Sequence, residues 1–197
     1  MASASHRPRP GGWFAAKFSL VNSGTPFSVS TQSSIQVGVA NGLVRIRVEG
    51  KGSFQNSASL KDFAKEMLAR GHREFVVDLG ACPLMDSTFM GTLAGIALKL
   101  KGCGEMGSIH VVNLNERNQG LLCNLGLDQL LRVECTDFSG ADSLLPSSFL
   151  PAAASDKLDQ AQTMLEAHEA VVTANPENEA KFKDVLEFLR SDIAARQ

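Results

Sequence analysis

The stretch that most constrains this chain runs from Phe75 to Lys101, FVVDLGACPLMDSTFMGTLAGIALKLK. Phe75-Val76-Val77-Asp78-Leu79 puts apolar side chains on both faces, as a strand covered on each side requires. Met90, Leu93, Ala94, Ala97, Leu98 and Lys101 then recur at helical spacing, and Gly102-Cys103-Gly104 supplies a stop. The loop between them holds Asp86-Ser87-Thr88. A buried strand, a short loop and an amphipathic helix in that order commit the chain to a sheet with helices laid on it.

The flanking patterns extend the same layer. Ile35, Val37 and Val39 alternate with polar or small residues, as do Val44, Ile46 and Val48 with Arg45 and Arg47. Asn41-Gly42 lies between the two runs, which is the pattern of a tight hairpin. Leu60, Phe63, Ala64, Met67 and Leu68 predict a helix ending at Gly71. Ile109 to Val112 reads as a further strand. Asn115 is placed to cap a helix from Glu116 to about Asn124, and Leu130 to Val133 is the last strand candidate. The expectation is an α/β fold with a mixed sheet of about five strands packed by helices.

The ends differ from this middle. No Asp or Glu precedes Glu49, whereas Arg7, Arg9 and Lys17 lie in a Ser-, Gly- and Pro-rich opening. We expect a disordered basic tail at 1–34, the domain at 35–136 and a linker at 137–154. A two-helix extension is expected at 155–197. In the extension, Leu158, Ala161, Leu165, His168 and Val172 form one stripe, and Phe182, Val185, Leu186, Leu189 and Ile193 a second. Asn175-Pro176 marks the start of the second helix. The two helices can pair against the domain or, in a homodimer, against a second copy.

Composition closes several routes. A net charge of −2 leaves no basic footprint for nucleic acid. The apolar runs are too short for a membrane span. Cys82, Cys103, Cys123 and Cys135 have neither metal-ligand nor disulfide-framework spacing, and the four histidines are scattered, so no metal or cofactor is expected. Such cysteines read as small core hydrophobes in a reducing, cytoplasmic setting. No G-x-S-x-G, Walker A or G-x-G-x-x-G pattern accompanies Ser87, and no catalytic residue is expected.

The chemistry therefore gathers at Asp86-Ser87-Thr88. Serine at a helix start accepts a hydrogen bond from a free first-turn N–H, so Ser87 is expected to cap the helix, with Asp86 complementing the helix dipole. The same hydroxyl can carry a charge switch. Phosphorylation adds about −1.5 to −2 charges, which a helix start accommodates and a partner surface rejects.

The run V-D-L-x-x-C-x-x-M-D-S-T-x-x-G, from Val77 to Gly91, resembles the central motif of the STAS domains, the sulfate-transporter and anti-sigma-factor-antagonist family. The resemblance covers about half of the chain, and the order of strands and helices agrees with that fold. It implies an anti-sigma factor antagonist that regulates transcription. Its Ser87, or alternatively Thr88, would be phosphorylated by a partner serine kinase that also acts as the anti-sigma factor, and a serine phosphatase would reset it. Glycine usually follows the D-S-[ST] triplet; here Phe89 and Met90 stand before Gly91 and, if exposed, would be partner contacts. Phe54 reads as a core plug and Asn56 or Ser57 as a cap. Together with Asp86, Ser87, Thr88 and the loop around Asn115, Phe54 and Asn56 are also expected to share one binding face. The alternative is a phosphorylation-independent interaction or scaffold subunit of a sensory or transport complex, with Ser87 as a cap alone.

Overall fold

The computed structural model describes residues 33–104, 107–134, 148–150 and 156–196. The expected tail, apart from Ser33 and Ser34, and most of the expected linker lie outside these residues, as does Cys135. Strands β1 (Ser34–Ala40) and β2 (Leu43–Glu49) form the hairpin, paired antiparallel from Ser34↔Glu49 to Ala40↔Leu43. Its turn uses Asn41 and Gly42 at φ 53° and 82°, the positive pair that matches the right-handed strand twist. Helix α1 (Phe54–Ala69) leads to β3 (Glu74–Asp78), and α2 (Ser87–Gly102) leads to β4 (Ser108–Val112). Helix α3 (Glu116–Asn124) and a 3-10 turn (Leu127–Gln129) lead to β5 (Arg132–Glu134). Strands β2, β3, β4 and β5 are parallel, as connections through helices dictate.

A sixth strand, β6 (Ser148–Leu150), lies inside the expected linker and extends the expected mixed sheet. It pairs antiparallel with β1, at Ile35↔Leu150 and Val37↔Ser148, giving the order β5-β4-β3-β2-β1-β6. Without it β1 would present a row of unpaired backbone groups. The fold is thus mixed α/β with a six-stranded sheet. Register lines up the core across the sheet: Val44, Phe75 and Ile109 form one row, and Ile46, Val77 and Val111 another. Leu60, Ala64, Met67, Phe89, Leu93, Leu100 and Leu122 complete it from α1, α2 and α3.

Helices α4 (Lys157–Ala174) and α5 (Glu179–Arg196) form an antiparallel hairpin around Asn175-Pro176. The hairpin lies against the domain, with α4 packed along α2. Helix α2 is consequently not amphipathic in its setting. Thr88 through Ala94 are all buried, between the sheet on one side and α4 on the other. The cysteines also differ from expectation. Cys82 is buried, but Cys103 and Cys123 are exposed, one at the end of α2 and one on the outer side of α3. No helix among the described residues is long and apolar enough to cross a membrane.

Candidate functional site

Parallel strands joined by helices send every strand-to-helix loop to the same sheet edge. The starts of α1, α2 and α3 therefore gather beyond the carboxyl ends of β2, β3 and β4. Backbone bonds lace these loops together: Gly50 N donates to Ala81 O at 3.0 Å, Gly52 N to Leu84 O at 3.0 Å and Asp86 N to Gly52 O at 2.9 Å. Asn118, fully buried on α3, donates through Nδ2 to Cys82 O at 2.8 Å and accepts from Met85 N at 3.2 Å. Asn115 caps α3, its Oδ1 accepting from Asn118 N, and its Nδ2 donates to Cys82 O at 3.0 Å. Burial within this lattice pushes the Cys82 thiol above its usual range.

Asp86, rather than Ser87, is the N-cap of α2. Its backbone is extended (φ −92°, ψ 171°), and Oδ1 accepts from Phe89 N at 2.8 Å. Oδ2 accepts from Phe54 N at 2.9 Å, the free donor at the first position of α1. One carboxylate thus satisfies two helix starts and sits at the positive end of both. A carboxylate offers two acceptor oxygens where a hydroxyl offers one, and this displaces Ser87 from the capping role.

Ser87 is half-buried in the first turn, and its Oγ lies 3.1 Å from His168 Nε2 on α4. The Nδ1 of His168 lies 2.7 Å from Met164 O. A carbonyl only accepts, so Nδ1 carries a proton and donates to it, and Nε2 is the ring nitrogen that faces the Ser87 hydroxyl. The imidazole is 5% exposed and rests against the Phe182 ring, with centroids 5.0 Å apart.

The other expected residues divide. Phe54 is exposed, not a core plug, because its position at the first turn of α1 faces away from the sheet. Phe89 and Met90 are core residues and offer no surface. Gly52 makes room for Phe89: a Cβ there would fall 2.7 Å from the ring. Thr88 is buried as well. Asn56 is buried, accepting from Ser53 N at 2.9 Å and donating to Lys51 O at 2.9 Å; Ser53 holds the N-cap position, and Asn56 closes the capping box from the third position of the helix. The edge therefore brings Phe54, Asp86, Ser87 and Asn115 together at the surface and keeps Asn56, Thr88, Phe89 and Met90 beneath it.

The family profile described as "Mlab, STAS domain" matches residues 35–133. The chain belongs to the STAS domain family. The match runs from the second residue of β1 to the second residue of β5, and leaves β6 and the α4–α5 hairpin outside. Three solved structures are similar to parts of the chain. A putative anti-sigma factor antagonist from Thermotoga maritima is 17% identical, with 56% of this chain and 93% of that chain covered and a TM-score of 0.49. An anti-sigma factor antagonist from Mycobacterium paratuberculosis is 19% identical, over 58% of this chain and 95% of that chain, at 0.49. The phosphorylated form of the Bacillus cell fate determinant SpoIIAA is 17% identical, over 56% and 98%, at 0.45. No curated protein matches the chain. The family match, not these structural likenesses, carries the assignment.

His168 is the site residue that sequence reasoning missed. Its signal was present, since a histidine within an apolar stripe is a buried polar group in need of a partner. The partner lies 81 positions away, beyond the reach of any local pattern.

Proposed function

We propose that this STAS domain is a phosphorylation-switched binding module, an anti-sigma factor antagonist acting on a serine kinase that doubles as the anti-sigma factor in the cytoplasm. Unmodified, it holds the kinase and frees the sigma factor; phosphorylated on Ser87, it lets go; a serine phosphatase restores it. The observation that supports this reading is the half-buried Ser87 hydroxyl at the edge where three helix starts meet, beside the Asp86 carboxylate. Thr88 is buried one residue on, so Ser87 is the more accessible of the two hydroxyls. A phosphate there puts about −1.5 to −2 charges next to a carboxylate already committed to both helices. A penalty of about 3 kcal/mol against an acidic or apolar partner face weakens binding about 100-fold.

A second reading has its own observation. The Ser87 hydroxyl already has a partner in His168, which suits a purely structural tie in a scaffold subunit that is never phosphorylated. Affinity capture from the native cells with Ser87→Ala and Ser87→Glu separates the two. The switch predicts that a kinase-type ATPase is retained by the alanine variant and lost by the glutamate variant, with both folded. Equal capture by the two variants favours the scaffold.

A further inference from the structure

Helix α4 sits on α2 through small residues. A Cβ on Gly91 would stand 2.2 Å from the Ala167 carbonyl oxygen and 2.6 Å from its carbon, and one on Gly95 would touch the Ala170 methyl at 3.6 Å. The seat is tied by polar contacts: Ser87 to His168 at 3.1 Å, and Lys61 Nζ to Thr163 Oγ1 at 3.0 Å and to Glu166 at 3.3 Å. A solvent-open groove of about 440 Å³ runs beside it between α1, α2 and α4, bordered by Ala64, Leu68, Gly95, Lys99 and Ala170. Small side chains bury little apolar area, and apolar area sets most of the docking energy.

The hairpin also holds itself together. Ala161 of α4 packs with Leu189 and Ile193 of α5 in a cluster separate from the main core, and Glu169 pairs with Arg190 at 2.9 Å. Its firmer attachments lie at the turn end, where the Nδ2 of Asn178 donates to Leu125 O at 2.8 Å, Lys181 Nζ donates to Asn124 O at 2.9 Å and Phe182 packs on the main core. A unit with its own core, a small-residue seat and anchors at one end is built to open from the other, as a local rather than a global event.

We propose that the α4–α5 hairpin is a displaceable cap: seated, it covers the α1–α2 face and holds Ser87 against His168; lifted, it frees the face and the hydroxyl together. The proposal rests on the reading of Ser87 as the modified residue. It adds that modification and partner binding both wait on opening of the hairpin. A hydroxyl pressed against an imidazole on a packed helix is poorly presented to an enzyme, and a bulky phosphate has no room in that contact.

The test is native-state hydrogen exchange on the full chain, read by mass spectrometry, for wild type and Gly91→Ala. The substitution forces a backbone clash with α4 while alanine suits the interior of α2 better than glycine. In the wild type, α4 and α5 amides are expected to exchange through an opening that leaves β2, β3 and β4 protected. In Gly91→Ala, hairpin protection is expected to fall about 100-fold with the sheet unchanged. His168→Ala, a milder perturbation, is expected to cost about tenfold in the hairpin alone. A single opening shared by hairpin and sheet in all three proteins overturns the cap. In a Ser87→Cys background, Gly91→Ala is expected to speed iodoacetamide labelling of the introduced thiol at least about tenfold, and an unchanged rate overturns the shielding of Ser87. Neither readout uses a kinase, so failure of the phosphorylation reading leaves these results standing and the two failures are distinguishable.

Discussion

Asp86 is the residue on which the geometry of the site depends, and its replacement tests that geometry quantitatively. Asp86→Ala removes the acceptor for Phe89 N at 2.8 Å and for Phe54 N at 2.9 Å. Loss of an N-cap costs about 1 kcal/mol, and a bond to a charged acceptor contributes about 1.5–3 kcal/mol. Phe54 N lies on the exposed side, where water replaces part of what is lost, so the second bond is taken at the low end. The sum is about 2–3 kcal/mol. Asp86→Asn keeps one carbonyl oxygen and turns an N–H toward the other donor; since asparagine caps well, the α2 cap survives and the α1 link breaks, for about 1.5 kcal/mol. Urea unfolding followed by circular dichroism reads both. With a slope of about 2 kcal/mol/M, the midpoint is expected to fall by about 1–1.5 M for alanine and about 0.75 M for asparagine, with the slope unchanged. Equal losses for the two variants, or a loss below about 0.5 kcal/mol for alanine, refute the double cap.

Two further outcomes follow from burial. Phe89→Ala is expected to cost about 3–5 kcal/mol, because it empties a fully buried site against Gly52, whereas Phe54→Ala is expected to stay within about 0.5 kcal/mol; urea midpoints of the pair decide it. In the folded protein, iodoacetamide is expected to alkylate Cys103 and Cys123 and spare Cys82 until denaturant is added, as peptide mass analysis would record. Burial disfavours the Cys82 thiolate, so at alkaline pH, where the exposed thiols react freely, Cys82 still lags; alkylation at equal rates contradicts its placement.

Much of this fold was legible because its signals are local. The alternation of Val44, Ile46 and Val48 and the Asn41-Gly42 pair determine the hairpin without reference to the rest of the chain. Asn115 and the Asn175-Pro176 turn announced their helices in the same way. The sixth strand was hidden because three residues, Ser148 to Leu150, carry no period of their own; their partner is the edge of β1, far away in sequence. Which aromatic is buried was equally nonlocal. Phe89 is in because Gly52 leaves room for its ring, and Phe54 is out at the first turn of α1; no pattern within either helix records that. Within the site, Asp86 beside Ser87 was readable, but the division of labour between them was not. The carboxylate took the cap because it also reaches α1, and the hydroxyl was released to His168.

The central claim is that Ser87 carries the switch. The most direct measurement is phosphopeptide mass analysis of the protein isolated from its native cells across growth conditions, with occupancy read at Ser87 and Thr88 separately. The account predicts phosphate on Ser87, at an occupancy that changes with condition, and none on buried Thr88. A peptide spanning both residues that stays unmodified in every condition, or carries its phosphate on Thr88, contradicts it.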